Sequence, residues 1–270
     1  MPRVLVLADL HWAHWRAAGR DPFAGLGPQF WQTLDLVILA GDLANKAHIR
    51  WPQALADMGR FIDPARIHVV PGNHDYYDGK LDREDKLAMA AHSVGAQVAQ
   101  CARIDLAGRR FLGCTLWTDM ALGGDLRGNC ARAERVMNDY RKIRMNSDGF
   151  RRAWPADTIA LHKAHLSWLE AELARPFAGE TVVITHHAPI APEPAGDMDA
   201  AYGSDLREVI ERHAPAMWLF GHTHRAQQAQ VGGCALRNVS LGYPDEWPST
   251  SPQLSQESPG AQIARGVLEW

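Results

Sequence analysis

The sequence has little of what marks membrane proteins, disulfide-rich proteins and zinc ribbons. None of its apolar stretches approaches the roughly 18 uninterrupted residues of a membrane helix, and the run at residues 4–8 is too short for a signal peptide. Its 4 cysteines lie far apart and form no Cys-x-x-Cys pair. We therefore expect a cytoplasmic protein with reduced thiols and no membrane association, although the spacing leaves one buried disulfide open.

The sequence also lacks a strong excess of either charge. Its net charge is −3 over 270 residues, so long nucleic acid is not an expected partner. Hydrophobic residues at 46% and charged residues at 22% are ordinary for a globular protein. We predict one domain over residues 1–246 and a C-terminal tail over residues 247–270. Residues 247–260 are rich in Ser, Pro and Gln, and residues 263–270 form either a last strand or a docked terminus; the oligomeric state stays open.

Short apolar runs alternate with helical periodicity, which favours an α/β architecture. Buried strands are predicted at residues 4–8, 34–40, 67–70, 181–185 and 216–220. Weaker strands at residues 103–106, 110–115, 226–231 and 235–239 form two predicted hairpins around glycines. Helices are predicted at residues 51–62, 81–94, 131–145, 158–174 and 204–213. Ser204 is the expected N-cap of the last helix, and the segment with Trp12, His14 and Trp15 is expected to be a loop.

The sequence does contain 13 histidines, and several of them follow buried strands. Five apolar runs end in Asp, Asn or His. The polar segments are Asp9-Leu10-His11, Gly41-Asp42, Gly72-Asn73-His74-Asp75, His186-His187 and Gly221-His222-Thr223-His224. Because ligand sites of α/β sheets assemble at the carboxyl ends of strands, these side chains are expected to meet at one edge.

The residue types in these segments predict a transition-metal site. Imidazole suits zinc, iron and nickel, and carboxylate and amide oxygens suit manganese and magnesium. The i, i+2 spacing of Asp9 with His11, and of His222 with His224, places each pair on one side of an extended backbone. There are too many ligands for one ion, which indicates two, and a carboxylate such as Asp42 can bridge them.

Together these segments resemble the full motif set of the calcineurin-like metallophosphoesterases, in the family's order, over about residues 3–245. The resemblance implies an α/β fold with two facing β-sheets flanked by helices, a four-layer αββα sandwich. It implies two divalent metal ions, with manganese expected and iron, zinc, nickel or cobalt also compatible. One ion would be held by Asp9, His11, Asp42 and His224, and the other by Asp42, Asn73, His186 and His222.

The resemblance also implies a reaction. A hydroxide that bridges the metals would attack phosphorus directly and hydrolyse a phosphate mono- or diester, while His74 would stabilise the transition state or protonate the leaving oxygen. Asp75 is expected to orient His74. The expected partner is a small phosphorylated substrate, with a nucleotide as one candidate. The alternative is a non-catalytic protein-interaction scaffold on the same fold, but such a scaffold is expected to lack a ligand, and all are present here.

The second informative segment is an Arg-rich helical insertion at about residues 117–152. Between Arg127 and Arg152 it carries 8 basic and 3 acidic residues. It is either a solvated helix face or a cap whose Arg141 and Arg144 contact phosphate, since arginine binds phosphate in a bidentate manner. Asn138, Asp139 and Tyr140 are candidates for the same cleft.

Other residues near the motifs receive no functional role from the sequence. His187 should point away from the neighbouring ligand on an extended strand. Gly242-Tyr243-Pro244 is assigned no role. The histidines outside the motifs are expected at the surface or in satisfied structural positions.

Overall fold

The structure, a computed structural model, describes residues 1–247 and 258–270. Most of the predicted Ser-, Pro- and Gln-rich segment at residues 247–260 therefore lies outside the described residues. Within the described part, the strands form two sheets of five and six strands. No helix in these two ranges is long and apolar enough to cross a membrane.

The first sheet is built around the N-terminal apolar runs. In spatial order it contains β11 (Val267–Glu269), β1 (Arg3–Leu7), β2 (Leu36–Ala40), β3 (Ile67–Val70) and β4 (Gln97–Val98). Strands β1 to β4 are parallel, whereas β11 pairs antiparallel with β1 through Val4 and Leu268. The C-terminal residues thus add an edge strand, while the division at residue 246 stays a prediction.

The second sheet combines the predicted hairpins with two buried strands. Its order is β5 (Ala102–Leu106), β6 (Arg109–Cys114), β7 (Glu180–Thr185), β8 (Met217–Phe220), β10 (Cys234–Asn238) and β9 (Gln228–Val231). Pairs β5–β6 and β9–β10 are antiparallel hairpins, as the glycines between them predict. The four central strands β6, β7, β8 and β10 are parallel to one another.

Helices cover the outer faces of both sheets. They are α1 (Trp12–Ala17), α2 (Pro28–Gln32), α3 (Ala47–Met58), α4 (Glu84–His92), α5 (Leu126–Val136), α6 (Asp139–Lys142), α7 (Pro155–Leu173), α8 (Asp199–Tyr202), α9 (Arg207–His213) and α10 (Pro259–Ala264). Trp51 and Leu55 of α3 pack on the outer face of the first sheet. Leu169 of α7 and Ile210 of α9 cover the second sheet.

The inner faces of the two sheets pack directly on each other. Val6 and Ile38 of the first sheet share one buried cluster with Phe111, Ile184 and Leu219 of the second. Alternate residues of the same strands point outward to the helices, because side chains in a strand alternate between its faces. The result is the predicted four-layer αββα sandwich.

Three local predictions are wrong. The segment after β1 is not a loop but helix α1. The predicted helix at residues 131–145 is two helices, α5 and α6, because Met137 between them is extended, at φ −72 and ψ 136. Ser204 does not cap α9, because the N-cap residue of this helix is Leu206. The Ser204 hydroxyl instead donates a hydrogen bond to the carboxylate of Asp119.

Candidate metal centre

The polar strand ends of both sheets meet at one edge of the sandwich. In the described residues, three groups of His and Asp side chains place their ligand atoms within 4.8 Å of one another. The groups are Asp9, His11 and His224; His11, Asp42 and His74; and Asp42, His186 and His222. The structure therefore brings together all the predicted metal ligands, with Asn73 next to His186.

The backbone of this edge is unusual. The φ angles of Asp9, His11, Asp42, His222 and His224 are all positive, between 44° and 69°. Such a left-handed conformation costs a non-glycine residue of order 1–3 kcal/mol, and it persists where the surrounding structure enforces it. Here it turns the chain sharply off each strand so that the side chains point at a common centre.

Two glycines allow the ligand loops to approach each other. A Cβ atom on Gly41 would overlap the ring of His186, and one on Gly72 would overlap Oδ1 of Asp42. Only glycine leaves room for these ligands next to the backbone. Steric contact with these side chains thus explains why glycine precedes both Asp42 and Asn73 in the sequence.

The third group, which contains Asp42 and His186, brings several hydrogen-bond acceptors together without a donor between them. Nδ1 of His186 lies 3.0 Å from the carbonyl oxygen of Ala40, which can only accept, so Nδ1 carries the proton. Its Nε2 therefore directs a lone pair at Asn73 Oδ1, 2.9 Å away, and at Asp42 Oδ1, 3.4 Å away. Burial lowers the pKa of His186, which disfavours a second proton. A cation between these atoms satisfies all three.

The first group converges in a similar way. Glu246 accepts a hydrogen bond of 3.0 Å from Nδ1 of His224, so Nε2 faces inward, 3.0 Å from Nε2 of His11 and 3.2 Å from Oδ1 of Asp9. Burial lowers the pKa of His224, but the carboxylates of Asp9 and Glu246 outweigh it and raise this pKa to about 10. Without a metal ion, His224 is therefore protonated at neutral pH, and its Nε2 proton lies where a cation would bind.

The buried polar atoms support the same interpretation. Oδ1 of Asp9 and Nε2 of His222 have no hydrogen-bond partner among the described residues. Oδ2 of Asp9 is already held by the backbone N–H of His222 and the hydroxyl of Ser240. A buried polar atom without a hydrogen-bond partner lowers the stability of the fold. These two atoms are therefore candidate ligand atoms for a cation. The residues present therefore fit a divalent metal.

The predicted catalytic residue, His74, lies at the mouth of this centre. Its Nε2 is 4.0 Å from Asp42 Oδ2, and its Nδ1 is 2.9 Å from Oδ1 of Asn45. Its ring stacks on Tyr77 at a centroid distance of 4.1 Å. Burial and the nearby His186 lower the pKa of His74 to about 3. The ring is therefore held by Asn45 and Tyr77.

The prediction that Asp75 orients His74 is wrong. The Asp75 carboxylate points to the opposite side, because the tight turn at His74–Tyr76 separates successive side chains. One oxygen accepts from the backbone N–H groups of Asp42 and Gly72, at 2.9 and 2.8 Å. The other accepts from the Ala44 N–H at 3.0 Å and the Trp51 indole at 2.8 Å. Asp75 thus fixes the loops that carry the ligands.

Sequence reasoning assigned no role to three residues that shape the centre. Tyr243 stacks on His11 at a centroid distance of 4.1 Å. Glu246 holds His224, and Asn45 holds His74. Tyr243 belongs to the Gly-Tyr-Pro segment near the C-terminus, whereas His11 follows the first β-strand. Their contact is formed by tertiary folding and leaves no local pattern in the sequence. His187, expected to point away, instead packs its ring 4.3 Å from that of His222.

The Arg-rich insertion contributes to the cleft through other residues than expected. The cleft over the centre has a volume of about 370 Å³ and is lined from the insertion by Val136, Met137 and Asn138. None of the insertion's 8 basic residues lines it. Arg141 instead donates to the carbonyl of Arg135, and Arg144 to that of Phe150. The geometry does not support the predicted phosphate contacts of these two arginines.

The other two candidates in the insertion are buried. Asp139 accepts hydrogen bonds from Asn73 Nδ2 at 2.8 Å and from the Tyr77 hydroxyl at 2.6 Å. Tyr140 bonds to Thr158 away from the ligands. Of the histidines outside the motifs, His162 and His165 are buried in α7.

Two facing sheets with a His- and Asp-rich edge define a metallophosphoesterase by architecture and composition. The profile of the calcineurin-like phosphoesterase family matches residues 2–226. The chain therefore belongs to the calcineurin-like phosphoesterase family and is a hydrolase of phosphoric esters. This confirms the resemblance and the predicted enzyme class.

The relatives of the chain are distant in sequence. It is 25% identical over 302 aligned residues to the [acyl-carrier-protein] phosphodiesterase PptH of Mycobacterium tuberculosis, covering 99% of this chain and 86% of that protein. An uncharacterized mimivirus protein, L509, is 23% identical over 236 residues, 79% of this chain and 80% of that protein.

Solved structures share the fold. The crystal structure of the phosphopantetheinyl hydrolase PptH from Mycobacterium tuberculosis has a TM-score of 0.67 at 20% identity and covers 96% of this chain and 99% of that one. Purple acid phosphatase PPD1 of yellow lupin has a TM-score of 0.51 at 13% identity, over 88% of this chain and 43% of that one. The likeness confirms the four-layer architecture.

Proposed function

We propose that the protein is a phosphodiesterase that uses two divalent cations to hydrolyse a small phosphorylated substrate. The observation that carries this proposal is the convergence of lone pairs from His186, Asn73 and Asp42 within 3.4 Å. A buried arrangement of acceptors without donors serves to hold cations. Manganese is the expected metal, with iron, zinc, nickel or cobalt as alternatives.

Each ion has its own set of ligands in this proposal. One set is Asp9, His11, Asp42 and His224; the other is Asp42, Asn73, His186 and His222. The bridging role of Asp42 is supported by its two oxygens, which face different histidines: Oδ1 lies 3.4 Å from His186 Nε2, and Oδ2 lies 3.8 Å from His11 Nε2. The paired ions, when bound, lower the pKa of bound water to generate the nucleophile and neutralise phosphate charge.

His74 is the proposed catalytic residue of the chain. Because Nδ1 donates to Asn45, the neutral ring presents its lone pair at Nε2. To protonate a leaving oxygen, Nε2 must first take up a proton, and an anionic phosphate in the cleft favours the charged ring. The stack on Tyr77 holds the ring in place for this transfer.

The charge of the cleft favours a diester over a monoester. Among the described residues that line the cleft, Arg225 is the sole Lys or Arg. A monoester carries up to two negative charges and gains from additional cationic side chains, whereas a diester carries one. The apolar Val136, Met137 and Pro192 in the same cleft suit an organic group on either side of phosphorus.

The relative PptH suggests which natural diester to test first. Its name describes an [acyl-carrier-protein] phosphodiesterase, and its crystal structure is described as a phosphopantetheinyl hydrolase. We therefore propose a phosphopantetheine-bearing carrier protein as the first natural substrate, with nucleotides as the alternative. The 4 cysteines are all free thiols, which supports the proposed cytoplasmic location.

The test compares bis(p-nitrophenyl) phosphate with p-nitrophenyl phosphate on the manganese-loaded protein. We expect faster turnover of the diester, and we expect His74→Ala to reduce kcat at least 100-fold, the usual contribution of a positioned acid or base. His74→Ala should keep its metals, as measured by elemental analysis. His92→Ala, on the exposed surface of α4, is the matched control. Absence of turnover with every divalent metal would refute the proposal.

A further inference from the structure

A second concave site lies on the other side of the His74 turn. This cavity has a volume of about 530 Å³ and is lined by Asp75, Tyr76 and Asp78, by the first turn of α4 and by two residues of the insertion. It shares no lining residue with the cleft over the metal centre, which His74 and Tyr77 line. Successive residues of one short segment therefore face two separate cavities.

The walls of the second cavity carry an excess of positive charge. Lys80, Arg83, Lys86 and Arg144 line it, against the carboxylates of Asp75 and Asp78. Both carboxylates are engaged elsewhere. Asp75 is saturated by four N–H donors, and Asp78 lies 3.8 Å from Lys46.

Most of these cations have no carboxylate partner. Arg83 pairs with Asp85 at 2.6 Å, but within residues 1–247 and 258–270 no ion pair involves Lys80, Lys86 or Arg144. Lys80 donates to the neutral amide oxygen of Asn146, and Arg144 to the carbonyl of Phe150. Three cations without a carboxylate within ion-pair distance attract an anion to the cavity, because each can add a hydrogen bond in which donor and acceptor are both charged.

The cavity is preformed rather than created by loose side chains. The backbone of Arg144 pairs with the segment after Gly79: the Leu81 N–H donates to Arg144 O at 2.8 Å, and the Arg144 N–H donates to Gly79 O at 3.2 Å. This pairing holds the insertion against the segment that connects the His74 turn to α4. A preformed site loses less conformational entropy when a ligand binds.

One part of the cavity is aromatic and apolar. Phe150 is 56% exposed at the rim of the cavity, so its ring is accessible to a ligand. Its ring lies 4.4 Å from Nζ of Lys80, and Tyr76 and Leu87 form part of the lining. The cavity therefore presents an aromatic ring next to a cationic group. This combination is complementary to a ligand that carries both an anionic group and an aromatic or apolar group.

We propose that this cavity binds an organic phosphate, with its phosphate on Lys80, Lys86 and Arg144 and its aromatic or apolar part on Phe150. The site is distinct from the metal centre, and it gives the Arg-rich insertion a phosphate-binding role away from the catalytic cleft. The proposal stands whether or not the metal-centre chemistry is as proposed above, because its test measures binding.

The test uses adenosine 5′-monophosphate and inorganic phosphate as probes, titrated by calorimetry into protein freed of divalent cations with EDTA, so that neither probe can bind to metal in the cleft. We expect wild type to bind adenosine 5′-monophosphate, and Lys80→Gln with Lys86→Gln to weaken binding at least tenfold, the loss of two charge-assisted contacts. Phe150→Ala should weaken the nucleotide but not inorganic phosphate. Lys163→Gln, an exposed lysine on α7, is the control for charge alone.

Two variants separate this cavity from the catalytic cleft. Arg225→Ala changes the cleft and should leave adenosine 5′-monophosphate binding within twofold of wild type. Equal affinity of wild type and the double lysine variant overturns the proposal, as does loss of binding in Arg225→Ala alone or no binding by wild type at millimolar probe. Unfolding midpoints check that the variants fold, and Lys86→Gln alone, at a surface position, repeats the test should the double variant unfold.

Discussion

Asp139 Oδ1 accepts a 2.8 Å hydrogen bond from Nδ2 of Asn73, and this bond decides which end of the Asn73 amide faces the metal centre. With Nδ2 bound to Asp139, Oδ1 points at Nε2 of His186, 2.9 Å away. Asp139 belongs to α6 in the insertion, so the insertion connects to the ligands through a buried carboxylate rather than through its arginines. Burial raises the pKa of Asp139.

Replacement of Asp139 tests this link. In Asp139→Ala the Asn73 amide loses its 2.8 Å hydrogen bond and keeps only the one of 3.3 Å to the Tyr77 hydroxyl. Because a hydroxyl can donate as well as accept, the amide can then rotate and place Nδ2 against His186. We expect the protein to bind one metal ion in place of two, and diesterase activity to fall at least tenfold, within the range seen for residues that orient metal ligands. Elemental analysis of the purified variant measures the ion count.

Tyr77→Phe is the matched control for this prediction. It removes the 2.6 Å hydrogen bond that Tyr77 donates to Asp139 and the 3.3 Å bond that it accepts from Asn73, but it leaves the 2.8 Å bond from Asn73 to Asp139. We expect it to keep both metals. Equal metal content in Asp139→Ala and Tyr77→Phe would contradict the orienting role of Asp139.

Asp75 should matter for stability because its carboxylate accepts on both oxygens. In Asp75→Asn the amide NH₂ group faces two N–H donors, whichever way it is turned. We expect a loss of about 2–5 kcal/mol in the free energy of unfolding, from unpaired buried donors. Urea denaturation of metal-free protein measures it. Asp78→Asn, three residues along at an exposed position, should change stability by less than about 0.5 kcal/mol, and a similar effect of both variants would contradict the prediction.

Glu246 should tune metal affinity through His224. Its carboxylate holds Nδ1 of His224 at 3.0 Å and the backbone N–H of Tyr243 at 2.9 Å. Loss of such a partner lowers metal affinity by about 10–100-fold, because the ring loses both its orientation and part of its basicity. Competition with a fluorescent chelator measures this for Glu246→Ala. The neighbouring exposed carboxylate, changed as Asp245→Ala, should leave the affinity unchanged, and equal losses in the two variants would argue against the role.

The convergence of the candidate metal ligands could be predicted from the sequence because each lies within four residues of the end of a buried strand. Apolar runs such as β2, buried along its whole length, are visible without a structure, and the carboxyl ends of parallel strands meet at one edge. The positions of Asp9, Asp42 and His186 follow from this rule alone. The same local logic predicted both hairpins from their glycines.

The partners of the ligands could not be predicted in this way. Asp139 reaches Asn73 across 66 residues and Glu246 reaches His224 across 22, so their contacts depend on the packing of separate elements. Asp75 shows the opposite error. It is adjacent to His74 in sequence, but a tight turn sends the two side chains to opposite sides. Sequence distance is a poor guide wherever the chain leaves regular structure.

The stability of the fold should depend on pH through His165, far from the ligand motifs in the sequence. His165 is 4% exposed in α7, and its Nδ1 lacks a hydrogen-bond partner among the described residues. Burial, with a smaller effect of His162, lowers the pKa of His165 from 6.5 to about 4. Between these values the unfolded chain takes up a proton that the folded protein does not. Protonation of His165 therefore leaves the free energy of unfolding unchanged above pH 6.5 and decreases it as the pH falls from 6.5 towards 4.

His165→Gln should remove this dependence. The variant is expected to be less stable than wild type at pH 7.5, but the difference should shrink by up to about 3 kcal/mol as the pH falls to 4, since one pKa unit corresponds to about 1.4 kcal/mol. Urea denaturation of metal-free protein at several pH values measures both curves, with His92→Gln on the exposed surface of α4 as the matched control. Parallel curves for wild type and His165→Gln would show that His165 does not cause the acid sensitivity, because His165 would then take up a proton equally readily in the folded and unfolded states.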